Sequence, residues 1–152
     1  MRKTIICDID GTIANVDHRV HLIDKSGGVD KTDWDAFYSL CGGDAPIAPI
    51  IDLLQEFNNS YDIVFMTGRR GSVGDKTTRW LYDNIPWLDR THNLIMRKPG
   101  DLRHDTLVKP ESAIAHGLTP DKVAFILEDR NSMVKKWREL GYTCLQVAEG
   151  DF

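Results

Sequence analysis

Apolar positions in this chain fall into two kinds of run. Short continuous blocks at Lys3–Ile9, Asp62–Met66, Asn93–Met96, Val123–Leu127 and Thr143–Val147 read as strands buried on both faces. Between them, apolar residues recur at helical spacing. One amphipathic helix is expected over 47–58, after Pro46, and another near Lys76–Asn84, broken at Pro86. A third covers Asp105–His116, where Pro110 calls for a helix start or a kink. The last is capped by Asn131 or Ser132, runs to about Leu140 and ends at Gly141. Strands alternating with helices predict an α/β fold, a mostly parallel sheet flanked by helices. Residues 15–45 interrupt the alternation. They are polar and broken at Gly27-Gly28 and Gly42-Gly43, apart from a short helix over Asp33–Leu40 with Asp33 as its N-cap. Trp34, Phe37 and Tyr38 share a face of that helix; packing on the core is the expected role, ahead of stacking on nucleobases. Trp80, Trp87 and Trp137 read as core as well.

The length of 152 residues predicts one domain, 1–152, with a small cap-like insert at approximately 15–45. No stretch approaches the ~18 apolar residues of a membrane span. The N-terminal apolar run is cut at Asp8, which argues against a signal peptide. Three scattered cysteines, Cys7, Cys41 and Cys144, suggest a reducing, cytoplasmic setting rather than a disulfide framework. Net charge is −4, which excludes a large DNA-coating surface, yet the charge is uneven. Residues 1–68 carry −6 and residues 69–138 carry +5. Either solvated helix faces hold that excess or it favours an anionic substrate.

Candidate chemistry gathers at strand ends, where open α/β sheets bind ligands. Asp8 and Asp10 stand at i and i+2, so an extended backbone points both to one side. Two carboxylates so close repel each other and stay partly protonated, which a Mg²⁺ ion would relieve. Taken alone, the pair reads equally as an exposed strand end. Thr67-Gly68-Arg69 closes the second strand, offering a hydroxyl and backbone N–H groups to a phosphoryl oxygen. Lys109 offers a point charge, and Glu128-Asp129 ends another strand. Gly71-Ser72-Val73-Gly74-Asp75-Lys76-Thr77 fails the spacing of a phosphate-binding loop, because Asp75 separates Gly74 from Lys76. His18 and His21 have no further His or Cys nearby in sequence and read as loop residues rather than zinc ligands.

Asp8-Ile9-Asp10-Gly11-Thr12, Thr67-Gly68-Arg69, Lys109 and Glu128-Asp129, in that order, resemble the four-motif signature of haloacid dehalogenase (HAD) superfamily phosphatases. The resemblance narrows to the 3′-phosphatase domain of phage-type polynucleotide kinase. Gly100-Asp101-Leu102-Arg103-His104-Asp105, the following Val108-Lys109, the ending Cys144-Leu145-Gln146-Val147-Ala148-Glu149-Gly150-Asp151-Phe152, and Arg19 nine residues past Asp10 carry it. It spans nearly the whole chain and is thinnest over 20–45.

This resemblance implies a Rossmann-like sheet and a two-step, Mg²⁺-dependent phosphoryl transfer through an aspartyl-phosphate. Asp8 would be the nucleophile. Asp10 would protonate the leaving oxygen and then activate water. Thr67, Gly68 and Lys109 would hold the phosphate. Asp8, the Asp10 carbonyl and Asp129 would bind the metal, and Glu128, where paired aspartates are usual, would act directly or through a bound water. Arg19, Arg69 and Asp105 would be substrate-side or supporting groups, with Asp105 orienting one of the arginines. The implied substrate is a 3′-phosphorylated DNA or RNA end, with a separate kinase or ligase as a partner and no membrane, in the host cytoplasm if the chain is phage-encoded. Two alternatives stand beside it: a phosphatase of free nucleotides or other small phosphomonoesters, and a catalytically silent phosphate-binding module.

Overall fold

The computed structural model describes residues 1–89 and 93–151. Among them, β1 (Thr4–Cys7), β4 (Asp62–Arg70), β5 (Asn93–Arg97), β6 (Val123–Arg130) and β7 (Cys144–Gly150) form one sheet in the order β5-β4-β1-β6-β7. Every neighbouring pair in it is parallel. The predicted mostly parallel α/β sheet is therefore present. β1 is central because its side chains serve two cores. Ile5 and Cys7 point to one face and Ile6 to the other, each almost fully buried. A buried side chain of that size contributes about 1.5–3 kcal/mol. On the Ile5 face pack α2 (Ala48–Phe57) and α3 (Gly74–Asn84), through Ile51, Leu54, Trp80 and Leu81. On the Ile6 face pack α4 (Asp105–Ala115) and α5 (Asn131–Glu139), through Ala113, Met133, Val134 and Trp137.

Between β1 and α2 the chain forms a short two-stranded ribbon, β2 (Ala14–Asn15) with β3 (Ala45–Pro46), and the six-residue α1 (Trp34–Ser39). Asp33 caps α1 as expected, its carboxylate accepting from the Ala36 N–H at 3.0 Å. Two local expectations need correction. α5 has no side-chain cap, because Asn131 Oδ1 instead accepts from Gln146 Nε2 at 2.6 Å and so ties the helix start to β7. Pro110 does not start α4, which begins at Asp105 and runs through it.

Trp80 and Trp137 are core residues, and Trp87 packs partly buried against the first cluster. All three cysteines are buried and free. Phe152, which closes the C-terminal motif, lies outside the described residues. No described helix is long and apolar enough to cross a membrane.

Candidate active site

The carboxyl ends of β1, β4 and β6 and the first turns of α4 converge on one small cavity of about 30 Å³. The backbone brings Asp8 there by extending the β1 ladder one residue further, with the Asp8 N–H donating to Leu127 O at 3.0 Å. The chain then turns sharply. Gly11 N–H donates to Ala14 O, and the amides of Thr12, Ile13 and Ala14 all converge on Ile9 O. Gly11 makes that turn with φ at +78°, and a Cβ there would lie 2.0 Å from Asp129 Oδ2. The glycine thus fixes the turn and lets Asp129 approach. Gly68, within β4, likewise allows a close approach: a Cβ there would sit 2.5 Å from Asp105 Oδ1.

Two buried ionic clusters flank the cavity. In the first, Lys109 Nζ donates to Asp8 Oδ1 at 2.6 Å and to Glu128 Oε2 at 2.9 Å. Thr12 Oγ1 donates to the other Asp8 oxygen at 3.3 Å. Oxygens of Asp8, Glu128 and Asp129 lie within 4.8 Å of one another, and all three residues are buried. Burial and the Glu128 charge push the Asp8 carboxyl well up from its usual range, with Asp129 adding to the repulsion. Asp129 is pushed up to about 7 by burial and by Glu128. Burial opposes the Lys109 charge, but Asp8 and Glu128 hold its pKa above the ordinary lysine value. Three carboxylates around one ammonium leave excess negative charge in a dry pocket. That all-oxygen donor set fits a hard divalent cation such as Mg²⁺.

In the second cluster, Asp10 Oδ1 accepts from Arg19 Nη2 at 2.7 Å and from Arg69 Nε and Nη2 at 3.0 and 2.5 Å. Behind them Asp44 bridges both guanidiniums, taking Arg19 Nε at 2.8 Å, Arg19 Nη2 at 2.6 Å and Arg69 Nη2 at 3.0 Å. His18 Nε2 lies 2.7 Å from Asp44 Oδ1, so His18 belongs to this network and not to a zinc site. Burial alone would raise the Asp10 carboxyl; Arg69 and Arg19 reverse that and hold it below its usual range. Mutual repulsion of Asp8 and Asp10, expected from their spacing, is therefore not what shifts them. Glu128 and Asp129 act on Asp8, and two arginines neutralise Asp10.

Every residue singled out from the sequence has a definite place. Asp8, Asp10, Thr67, Gly68, Asp105, Lys109, Glu128 and Asp129 line the cavity. Thr67 Oγ1 accepts from the Arg69 N–H at 3.2 Å, which fixes the hydroxyl at the strand end. Arg19 and Arg69 are fully buried against Asp10 and Asp44 rather than turned outward. Asp105 does not orient either of them. It pairs with Arg97 and, at 2.8 Å, with Arg130 Nη1. Arg97 Nε also donates to Gly68 O at 3.0 Å, as does Tyr38 OH at 3.4 Å. Asp44, Arg97 and Arg130 were not singled out as site residues. Only Arg130 carried a signal, its position directly after Glu128-Asp129. All three aromatics of α1 line the cavity; Phe37 is buried as expected, whereas Trp34 and Tyr38 are only partly buried.

A family model for the polynucleotide kinase PNKP phosphatase domain matches residues 2–152. The chain belongs to that family. It is a phosphatase domain of the HAD type, a phosphoric monoester hydrolase. A chain in the structure of a Pnkp1/Rnl/Hen1 complex is 29% identical, with a TM-score of 0.77. The match covers 100% of the present chain and 48% of that one, so this phosphatase domain spans about half its length. Two more distant structures show the same fold. One is a haloacid dehalogenase-like hydrolase from Streptococcus pneumoniae, at 18% identity and TM-score 0.63, covering 95% of this chain and 84% of that one. The other is a HAD family enzyme from Bacteroides thetaiotaomicron in complex with magnesium and inorganic phosphate. It is 14% identical with TM-score 0.58, covering 100% and 97%.

Proposed function

We propose that this chain removes 3′-phosphates from DNA or RNA ends, using Mg²⁺ and an aspartyl-phosphate on Asp8, and that 1–152 acts as one phosphatase unit with the 15–45 segment as its doorway. The observation that carries the reading is the family match across residues 2–152, joined to a buried oxygen cluster with surplus negative charge facing the cavity.

In this reading Asp8 attacks phosphorus, an O–P bond to Asp8 forms and the bond to the nucleic-acid oxygen breaks. Lys109 aims Asp8 and favours its ionised form against burial and Glu128, and its ammonium faces the charge that builds on the transferring phosphoryl group. Thr67 Oγ1 and the N–H groups after it receive phosphoryl oxygens. Asp10 offers Oδ2, because the arginines occupy Oδ1. A phosphate beside Asp10 brings negative charge that raises its proton affinity, so Asp10 can carry the proton to the leaving oxygen and later take one from water. Asp8, Asp129 and the Asp10 carbonyl would hold Mg²⁺, with Glu128 beside them. The ion supplies charge neutralisation at the phosphoryl oxygens.

A ligase that seals the 3′-hydroxyl end left by this reaction is the partner we propose. Its support is the Pnkp1 relative, seen with Rnl and Hen1. The test compares turnover of a 3′-phosphorylated oligonucleotide, its 5′-phosphorylated isomer and nucleoside monophosphates. The 3′ end is expected to lead, turnover to stop on chelation, and Asp8→Asn to lose at least about 10³-fold with an unchanged circular dichroism spectrum. Faster hydrolysis of 5′-nucleotides or sugar phosphates would replace this reading with the small-molecule one.

A further inference from the structure

A second cavity of about 220 Å³ adjoins the first and shares Trp34, Tyr38, Asp105 and Arg130 with it. Its volume lies below the ~300–1,000 Å³ of ordinary ligand pockets, which suits one nucleoside rather than a folded segment of strand. Anything whose phosphate reaches Asp8 through that shared neck has its remainder in this vestibule.

The two walls of the vestibule differ in chemistry. One wall is aromatic. Trp34 stacks on Tyr38 with ring centroids 5.6 Å apart and planes 28° apart, and its Nε1 donates to Asp30 Oδ2 at 3.2 Å. The indole is therefore held in one orientation before any ligand arrives. The other wall is cationic and reaches the surface through Arg70 and Arg103. Arg70 pairs with Asp35 at 2.5 Å, and Arg103 bridges two carboxylates, the less exposed Asp101 at 3.1 and 2.9 Å and Glu111 at 3.0 and 2.8 Å. Asp35 and Glu111 are themselves largely exposed. Exposed pairs of this sort are weakly held, so a phosphate can displace either carboxylate at small cost. The inner arginines Arg97 and Arg130 are anchored on Asp105 and shape the neck.

We propose that the vestibule is a subsite for the terminal nucleoside and its 5′-phosphate, with the base on Trp34 and the phosphate against Arg70 and Arg103. This rests on the 3′-end reading and deepens it: the recognised unit is a nucleoside 3′,5′-bisphosphate, the smallest fragment that fills both cavities.

Three substrates test it: thymidine 3′,5′-bisphosphate, thymidine 3′-monophosphate and p-nitrophenyl phosphate. The bisphosphate is expected to exceed the monophosphate in kcat/KM. Arg103→Gln and Arg70→Gln are expected to erase most of that advantage through KM. Trp34→Leu is expected to lower the ratio of nucleotide to p-nitrophenyl phosphate turnover about tenfold or more, as for loss of one stacked base, with Trp34→Phe restoring part of it. The same variant should weaken equilibrium binding of the reaction product, thymidine 5′-monophosphate, by a similar factor. Should Trp34→Leu fail to fold, the half-exposed Arg103→Gln carries the test. An unchanged substrate ratio and unchanged product affinity in these variants, with 3′ preference intact, overturn the subsite alone. No preference for 3′ over 5′ phosphates in the wild type overturns the underlying reading.

Discussion

Asp8 and Asp10 are two residues apart, and each sits in a buried ionic cluster, yet the clusters are opposites. Asp10 and Asp44 face Arg19 and Arg69, two carboxylates against two guanidiniums, with most of their hydrogen-bonding capacity used within the group. Asp8, Glu128 and Asp129 gather around Lys109, with the Arg130 charge, already paired to Asp105, as the further cation acting on them. The balanced cluster is finished without any ligand. The unbalanced one carries a deficit that a cation from solution can meet. Ile9 alone stands between the two carboxylates in the chain, so one residue separates the charge-balanced cluster from the one with surplus negative charge.

Removing Asp44 should break this contrast most. Asp44→Ala strands two buried guanidiniums on one carboxylate, and breaking a buried pair in this way costs about 3–5 kcal/mol. Urea denaturation should show that loss; a change below about 1 kcal/mol would mean the balanced cluster contributes no scaffold. Magnesium should sharpen the contrast from the other side. At about 100 times its Kd, Mg²⁺ should add about 2.7 kcal/mol to stability. Asp129→Asn should abolish that gain, and Asp44→Ala should keep it, both read by thermal melting. A gain that survives Asp129→Asn would place the ion elsewhere.

The smallest effect is that of pH, and it has opposite signs in the two clusters. Asp10 is held below its usual range, so its contribution is present above the unfolded carboxylate value and is lost as pH falls through the folded one. Asp129 is raised to about 7, so its contribution is full below the unfolded value and is lost as pH rises through about 7. Metal-free protein should therefore lose stability between about pH 4 and pH 7 through Asp129, and Asp129→Asn should flatten that limb. Apparent Mg²⁺ affinity should rise over the same range, by up to about tenfold per unit, because the ligand must shed a proton. A melting profile that is flat in this range, with Mg²⁺ affinity independent of pH, would rule out the raised Asp129.

What could be read from sequence follows from the range of the interactions. Strand and helix periods are local, so the alternation of elements and the motifs at strand ends were legible, as was Asp33, whose partner is three residues away. Asp44 was not legible. Its partners stand 25 residues away on either side, and its own surroundings, Gly42-Gly43 and Ala45-Pro46, show no period. Arg97 was not legible as a site residue, and Arg130 only by its place after Glu128-Asp129, because Asp105, their partner, meets them only through folding. Trp34, Phe37 and Tyr38 were correctly given one face, but a shared face does not say what it meets. All three meet the cavity, and of the three Phe37 alone is also buried.

Helix α1 is short, and it is held at several points. Arg19 donates to Phe37 O at 3.3 Å and lies 4.2 Å over its ring; Lys76 holds Ser39 O at 2.6 Å; Arg70 holds Asp35; and Tyr38 reaches Gly68. Trp80 Nε1 adds a clasp on Asp44 O at 2.8 Å. A threshold fastened this way works like a keyhole cut in a fixed plate.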